Sequence, residues 1–286
     1  MNKYKQTGKC IWCGRMEPEI SFDSAPHVLP KALGGTELGI DVCEECNHYF
    51  GTAPKHRHGI PSIDHAFKEV FGAFRMFGKS LNSNSYKSYS SACFEYRHKY
   101  GIIRIKQRLN TIAITRQFKR GLYEAFLQKY HLVTGNGNNP IFDAVRNFAR
   151  YDIGDLRVYY AFNNVILAPG EDETNHPVLH IGKNAEDEIS HYGFFHFWLL
   201  GHNFFLEVSP VAANVYKQKY LREKVATCLL PAKGDESIYE ITNIEQIDRN
   251  DYNTFLFVYI SDNTIINDYM AKFKNSLVDI NEDSYN

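Results

Sequence analysis

The sequence predicts an α+β fold in two parts, a small head over residues 1–60 and a larger α+β body over residues 61–286 with a mainly antiparallel sheet. Three observations predict it. Four of the six cysteines fall in two close pairs within the head. Amphipathic runs with helical spacing occupy much of the stretch that follows. From Leu156 onward, short apolar runs are joined by turn residues, which favours antiparallel strands over crossover units.

Composition sets the outer bounds. A chain of 286 residues with 44% apolar and 23% charged residues is globular rather than disordered. No stretch of about eighteen purely apolar residues occurs, so no spanning helix and no membrane partner are expected. The first residues carry no apolar run behind them, and the chain is expected to be cytoplasmic. The net charge of −1 hides an asymmetry: residues 1–60 are neutral, 61–150 carry +10 and 151–286 carry −11. A basic middle is a footprint for a polyanion, or else the complement of the acidic part within the fold.

In the head, Cys10-Ile11-Trp12-Cys13 and Cys43-Glu44-Glu45-Cys46 form two Cys-x-x-Cys knuckles. Two such knuckles at this distance are the pattern of a closed tetrahedral zinc site, because thiolates suit a borderline-soft ion without geometric demands of its own. In a reducing compartment disulfides are the weaker explanation. A segment this short is also near the size at which a core alone is marginal, and a structural Zn2+ supplies folding free energy. Cys93 and Cys228 are unpaired by spacing and read as small core residues.

Between the knuckles lies His27-Val28-Leu29-Pro30-Lys31-Ala32-Leu33-Gly34-Gly35, and the second knuckle runs into Asn47-His48-Tyr49-Phe50-Gly51. In this order the pieces resemble the HNH endonuclease family, in the subgroup with zinc-binding cysteine pairs, over about residues 9–52. The resemblance implies a zinc-stapled ββα-metal fold, with a hairpin that places His27 at the end of its first strand and a short helix beginning near Cys43. It implies that His27 is the general base for phosphodiester hydrolysis, a task for which a neutral imidazole is well matched. Asn47 stands where the family places an Asn or His ligand to a catalytic divalent cation, Mg2+ or Mn2+. The position before the base, often a second ligand, is here Pro26, and Asp23 and His48 are the candidates to replace it. Asp41 is the polar residue nearest the place of the family's middle Asn. The products implied carry 5′-phosphate and 3′-hydroxyl ends.

Gly59-Ile60-Pro61-Ser62 marks the boundary of the head. Residues 62–78 have helical spacing through Ile63, Phe67, Val70, Phe71 and Phe74, and residues 78–91 read as a loop. Residues 92–108 read as a hairpin turning near Gly101, with Arg97, Lys99, Arg104 and Lys106 among its cations. A helix through Ile114, Phe118, Leu122 and Phe126 places Arg116, Lys119 and Arg120 on its polar side. These seven cations are the candidates for positioning nucleic acid by its phosphates; an ordinary solvated face is the alternative. A short helix follows Pro140. Strands are expected over 158–162, 177–181, 194–200, 204–208 and 255–260, a turn at Gly201-His202-Asn203, and helices over 216–226 and 267–273.

The expectation is therefore a metal-dependent endonuclease acting on DNA, with RNA left open, of the kind found in bacterial defence or restriction systems. A second copy of the chain or a regulatory protein is a candidate partner. The alternative is a non-catalytic zinc-knuckle module that binds nucleic acid or a partner, suggested by Pro26.

Overall fold

The computed structural model describes residues 6–55, 59–80, 90–97, 102–162, 165–167, 171–212, 214–228, 237–246 and 256–258. The fold is mixed helix and sheet, with the cysteine pairs at the N-terminal end. In the head, the expected hairpin is reduced to one antiparallel bridge, His27 with Leu38, flanked by Val28 N–H to Glu37 O (2.9 Å) and Gly39 N–H to Pro26 O (2.7 Å). Pro26 and Pro30 offer no N–H, so a longer ladder lacks donors on that strand. A 3-10 turn over Lys31–Leu33 closes at Gly34, whose φ of 88° suits glycine. Helix α1 (Glu44–Gly51) follows Cys43, with Glu44 and Glu45 complementing its N-terminal dipole.

In the body, α2 (Ile63–Ser80) starts at Ser62, whose hydroxyl accepts from the His65 N–H at 3.2 Å. Strands β1 (Phe94–Arg97) and β2 (Ile102–Ile105) pair antiparallel as expected, with Phe94 opposite Ile105. Lys99 and Gly101 lie outside the described residues, as does the side chain of Arg97. Helix α3 (Thr111–Thr134) is capped by Asn110, which accepts from the Ala113 N–H, and ends at Gly135 in the left-handed region. Helix α4 (Asp143–Tyr151) follows the 3-10 turn at Pro140–Phe142. The remaining elements are β3 (Val158–Phe162), β4 (Val165–Leu167), α5 (Glu171–Asn175), α6 (Ala185–Tyr192), β5 (Phe194–Leu199), β6 (His202–Glu207), α7 (Asn214–Cys228), β7 (Ser237–Glu240) and β8 (Leu256–Val258).

Four strands form an antiparallel sheet in the order β5-β6-β3-β7, and β4 pairs with β8 in parallel. The sheet is buried on both faces, and the period of two is visible in which core each residue joins. Tyr160, Phe195, Phe197, Phe204 and Leu206 face the main core beside Phe67, Phe71 and Phe118 of α2 and α3. Tyr159, Phe194 and Phe205 face the opposite way and meet Tyr220 and Leu221 of α7. Rings of Phe67, Phe71, Phe118, Phe197 and Phe204 lie 4.7–6.4 Å apart in the main core.

Several expectations are corrected. Among the described residues, 177–181 pair with no strand, although Leu179 and Ile181 are buried; burial of two alternate residues gave the strand pattern without a ladder. The turn between β5 and β6 is at Leu200 and Gly201, both with positive φ (50° and 82°), so His202 and Asn203 are strand. Helix α2 continues to Ser80. Helices α5 and α6 and strands β4 and β7 were not anticipated. The helix expected over 267–273 lies outside the described residues.

The apolar core does not divide at residue 60: Cys10, Trp12 and Phe50 belong to the same buried cluster as Phe67 and Phe118. Polar contacts reinforce the junction. From α3, Lys129 pairs with Glu37, His131 Nε2 lies 3.0 Å from Asp41 Oδ2, and Arg120 donates to the Tyr49 hydroxyl at 2.6 Å. From α4, Arg150 reaches Glu45 at 3.1 Å and stacks over Tyr49 at 4.0 Å. These anchors fix the head against α2 and α3, and a cleft opens along that seam.

Candidate active site

Cys10, Cys13, Cys43 and Cys46 bring their four Sγ atoms within 4.8 Å of one another. The knuckle folds because Gly14, at φ 71°, returns its N–H to Cys10 O while the Cys10 N–H bonds Arg15 O, both at 2.9 Å. Helix α1 then presents Cys46 one turn beyond Cys43. Zn–S bonds of about 2.3 Å in a tetrahedron place sulfurs about 3.8 Å apart, and Cys13 Sγ to Cys43 Sγ is 3.8 Å. Four thiols this close cannot ionise together without a cation. The Cys46 hydrogen bond pushes the Cys10 thiol down to about 5 against the penalty of burial, while burial pushes Cys43 up to about 11. Cys46 is pushed far up by its hydrogen bond to Cys10 and by burial. A divalent ion reverses that conflict. The donor set therefore fits structural zinc. Arg150 Nε, 3.3 Å from Cys46 Sγ, adds a positive partner from outside the knuckles.

Beside this cluster lies a cleft of about 410 Å³. The head contributes Pro26, His27, Lys31 and Asn47 to its lining, α2 contributes Asp64, His65 and Lys68, and α3 contributes Glu124. His27 is half-buried, and its backbone is held by the bridge to Leu38. Asn47 is oriented by a relay. The Ser24 hydroxyl bonds the Glu44 carboxylate, which leaves its lone pairs to accept from Asn47 Nδ2 at 2.9 Å. That assigns the amide nitrogen to Ser24 and leaves the carbonyl oxygen as the atom that can ligate a cation.

Asp64 and Glu124 escaped the sequence reading. Asp64 looks like an ordinary acid in a helix's first turn. Glu124 lies between Tyr123 and Ala125 in an apolar stretch of α3, and an acid inside such a run is the one local signal available. The two carboxyls line the same cleft. Burial pushes both up, Glu124 well above the usual range with the Asp64 charge adding to it. Burial also pushes the His65 imidazole down, with Lys68 contributing.

Other expected site residues have different posts. Asp41 is 1% exposed and does not line the cleft. Its oxygens accept from the Thr7 N–H and hydroxyl (both 2.7 Å), the Gly8 N–H (3.0 Å) and contact His131. Burial pushes its pKa up, but these partners together hold it below the usual range. Asp23 and His48 are exposed and outside the lining, with His48 Nε2 3.2 Å from the Thr52 hydroxyl.

The expected polar side of α3 is likewise covered. Arg120 is 2% exposed and bonds Ala149 O, Gln117 and Tyr49. Lys119 is 5% exposed and pairs with Asp155 at 2.8 Å, and Arg116 pairs with Asp152 at 2.7 Å. Helix α4 and the segment after it lie over that face, so Lys119 and Arg120 brace the fold and are buried away from phosphates, while Arg116 keeps 31% of its side chain exposed. Arg104 and Lys106 remain exposed on β2 and just after it.

Among the described residues, no helix is long and apolar enough to cross a membrane. No curated protein and no solved structure matches the chain. Residues 10–59 match the family model described as HNH endonuclease, so the thiol cluster, His27 and Asn47 all fall in a stretch that is similar to that family.

Proposed function

We propose that the protein is a metal-dependent endonuclease that hydrolyses DNA phosphodiester bonds, with the head carrying the chemistry and the body forming part of the cleft. The observation that carries this reading is that His27 and Asn47, from different elements of the family-like segment, line one cleft beside the zinc-type thiol cluster. In this reading His27 takes a proton from water as the oxygen attacks phosphorus in line with the leaving 3′-oxygen. The P–O3′ bond breaks, the 3′-oxygen takes up a proton, and the products carry 5′-phosphate and 3′-hydroxyl ends. Asn47 presents a hard carbonyl oxygen suited to Mg2+ or Mn2+. Such a cation, when bound, stabilises charge on the leaving and non-bridging oxygens. Lys31 at the cleft, with Arg104 and Lys106 on the exposed hairpin, supplies positive charge for the phosphate backbone.

Plasmid nicking in Mg2+ or Mn2+ tests this. The parent is expected to cut, and His27→Ala to lose about 100-fold or more in rate. Equal cutting by both removes His27 from the mechanism. Pro26 favours a second reading, a non-catalytic nucleic-acid binder, which predicts salt-sensitive binding and no cutting under any divalent ion.

A further inference from the structure

The family-like segment supplies Asn47 to a catalytic cation but has Pro26 where a second ligand is expected, and Asp23 and His48 do not face the cleft. The opposite wall carries what is missing. Asp64 and Glu124 enter the same cleft from α2 and α3, both beyond residue 59. We propose that Asp64 and Glu124 hold a hard divalent cation in this cleft together with the carbonyl of Asn47, so that the body completes a metal site which the head only begins.

Charge is the first argument. Glu124 is 8% exposed, and neither it nor Asp64 forms an ion pair with a lysine or arginine among the described residues. The cations nearby are committed. Arg120 attracts Glu124 from a distance but spends its donors on Ala149, Gln117 and Tyr49. Lys68 and His65 lie 3.5 and 3.8 Å from Glu69. A buried carboxyl and a half-buried one that share this cleft without a cationic partner favour a cation between them, because bare charge there is costly. Orientation is the second argument. Gln128 Nε2 donates to Glu124 Oε1 at 3.1 Å, and the Ser24–Glu44 relay turns the Asn47 carbonyl away from its own support. Second contacts of this kind are what fix metal ligands in place. Chemistry is the third. One or two carboxylates with retained waters are the usual protein share of a Mg2+ shell, so no further acidic or imidazole ligand is required.

The proposal rests on the nuclease reading for its purpose but not for its test. Mn2+ is titrated into the full zinc-loaded chain near neutral pH, with free Mn2+ followed by electron paramagnetic resonance. Parent, His27→Ala, Asp64→Asn and Glu124→Gln are compared, with circular dichroism and zinc content confirming the fold. The parent is expected to take up one Mn2+, His27→Ala to retain it, and each carboxyl variant to bind about tenfold or more weakly. Should Glu124→Gln fail to fold, the half-buried Asp64→Asn decides alone. Equal affinity in Asp64→Asn and parent overturns the proposal, as does a parent with no Mn2+ site, in which the pair shares a proton. Carboxyl-dependent Mn2+ uptake by a parent that never nicks DNA supports this site while sinking the nuclease reading. Nicking that needs His27 but is undiminished in Asp64→Asn does the reverse.

Discussion

In the head, described regular structure amounts to α1, one 3-10 turn and two isolated bridges; in the body, a four-stranded sheet lies between two apolar layers. The head's interior is organised by four thiols and by polar anchors such as Asp41 with Thr7, Gly8 and His131. The body's is organised by packed rings, with Phe71 within 4.7–6.2 Å of Phe67, Phe74, Phe118, Phe197 and Phe204. A segment with so few ladder bonds holds its shape through directional, titratable bonds, whereas the body relies on non-directional burial. Chelators and acid are therefore expected to act first on the head, where thiols and titratable anchors hold the chain.

The largest effect is expected from removing zinc. Structural zinc contributes about 10 kcal/mol or more to folding small domains, comparable with the whole stability of many proteins. Chelation, or Cys46→Ser, is expected to unfold the head. Trp12 in the head and Trp198 in the body are the chain's two tryptophans. With Trp198→Phe, the fluorescence of Trp12 reports head unfolding alone. A melting curve unmoved by zinc removal would show that the thiols hold no metal. Because Trp12 and Phe50 share the body's core, the body is expected to lose stability in the same transition.

Next is Phe71→Ala, fully buried at the centre of the ring cluster, with an expected cost of about 3–5 kcal/mol in urea unfolding. A cost below about 1 kcal/mol in the zinc-loaded chain would mean that the rings are not the body's main support. The smallest is Asp41→Asn, expected to cost about 1–3 kcal/mol near neutral pH. Its sign with pH is fixed by the direction of the shift. A carboxyl held below its ordinary value contributes stability above the unfolded value of about 3.9, and that contribution disappears as pH falls through the folded value. Parent and variant should therefore converge in acid, and a constant gap between pH 7 and pH 3 would remove ionisation of Asp41 as the cause.

Much of the head was legible because its signals are local. Two cysteines three residues apart must lie near each other, and Pro26, Pro30 and Gly34 limit the backbone around His27 whatever packs against it. The strands that became β3, β5 and β6 were legible for the same reason, since alternation is written in consecutive residues. Arg116, Lys119 and Arg120 show where this fails. Spacing correctly put them opposite Phe118 and Leu122, but it could not show that α4 and the acids after it cover that side. Asp41 was placed near its family position, yet His131, ninety residues away, decides what it does.

By itself the sequence determined the thiol set, the imidazole and the carboxamide, because ligand chemistry and knuckle spacing are properties of short stretches of chain. Only the tertiary structure decided that Asp64 and Glu124 share one cleft with the imidazole of His27 and the carboxamide of Asn47. No periodicity records that meeting, since it depends on how α2 and α3 pack against the head, and burial is set by contacts between segments that are remote in the chain.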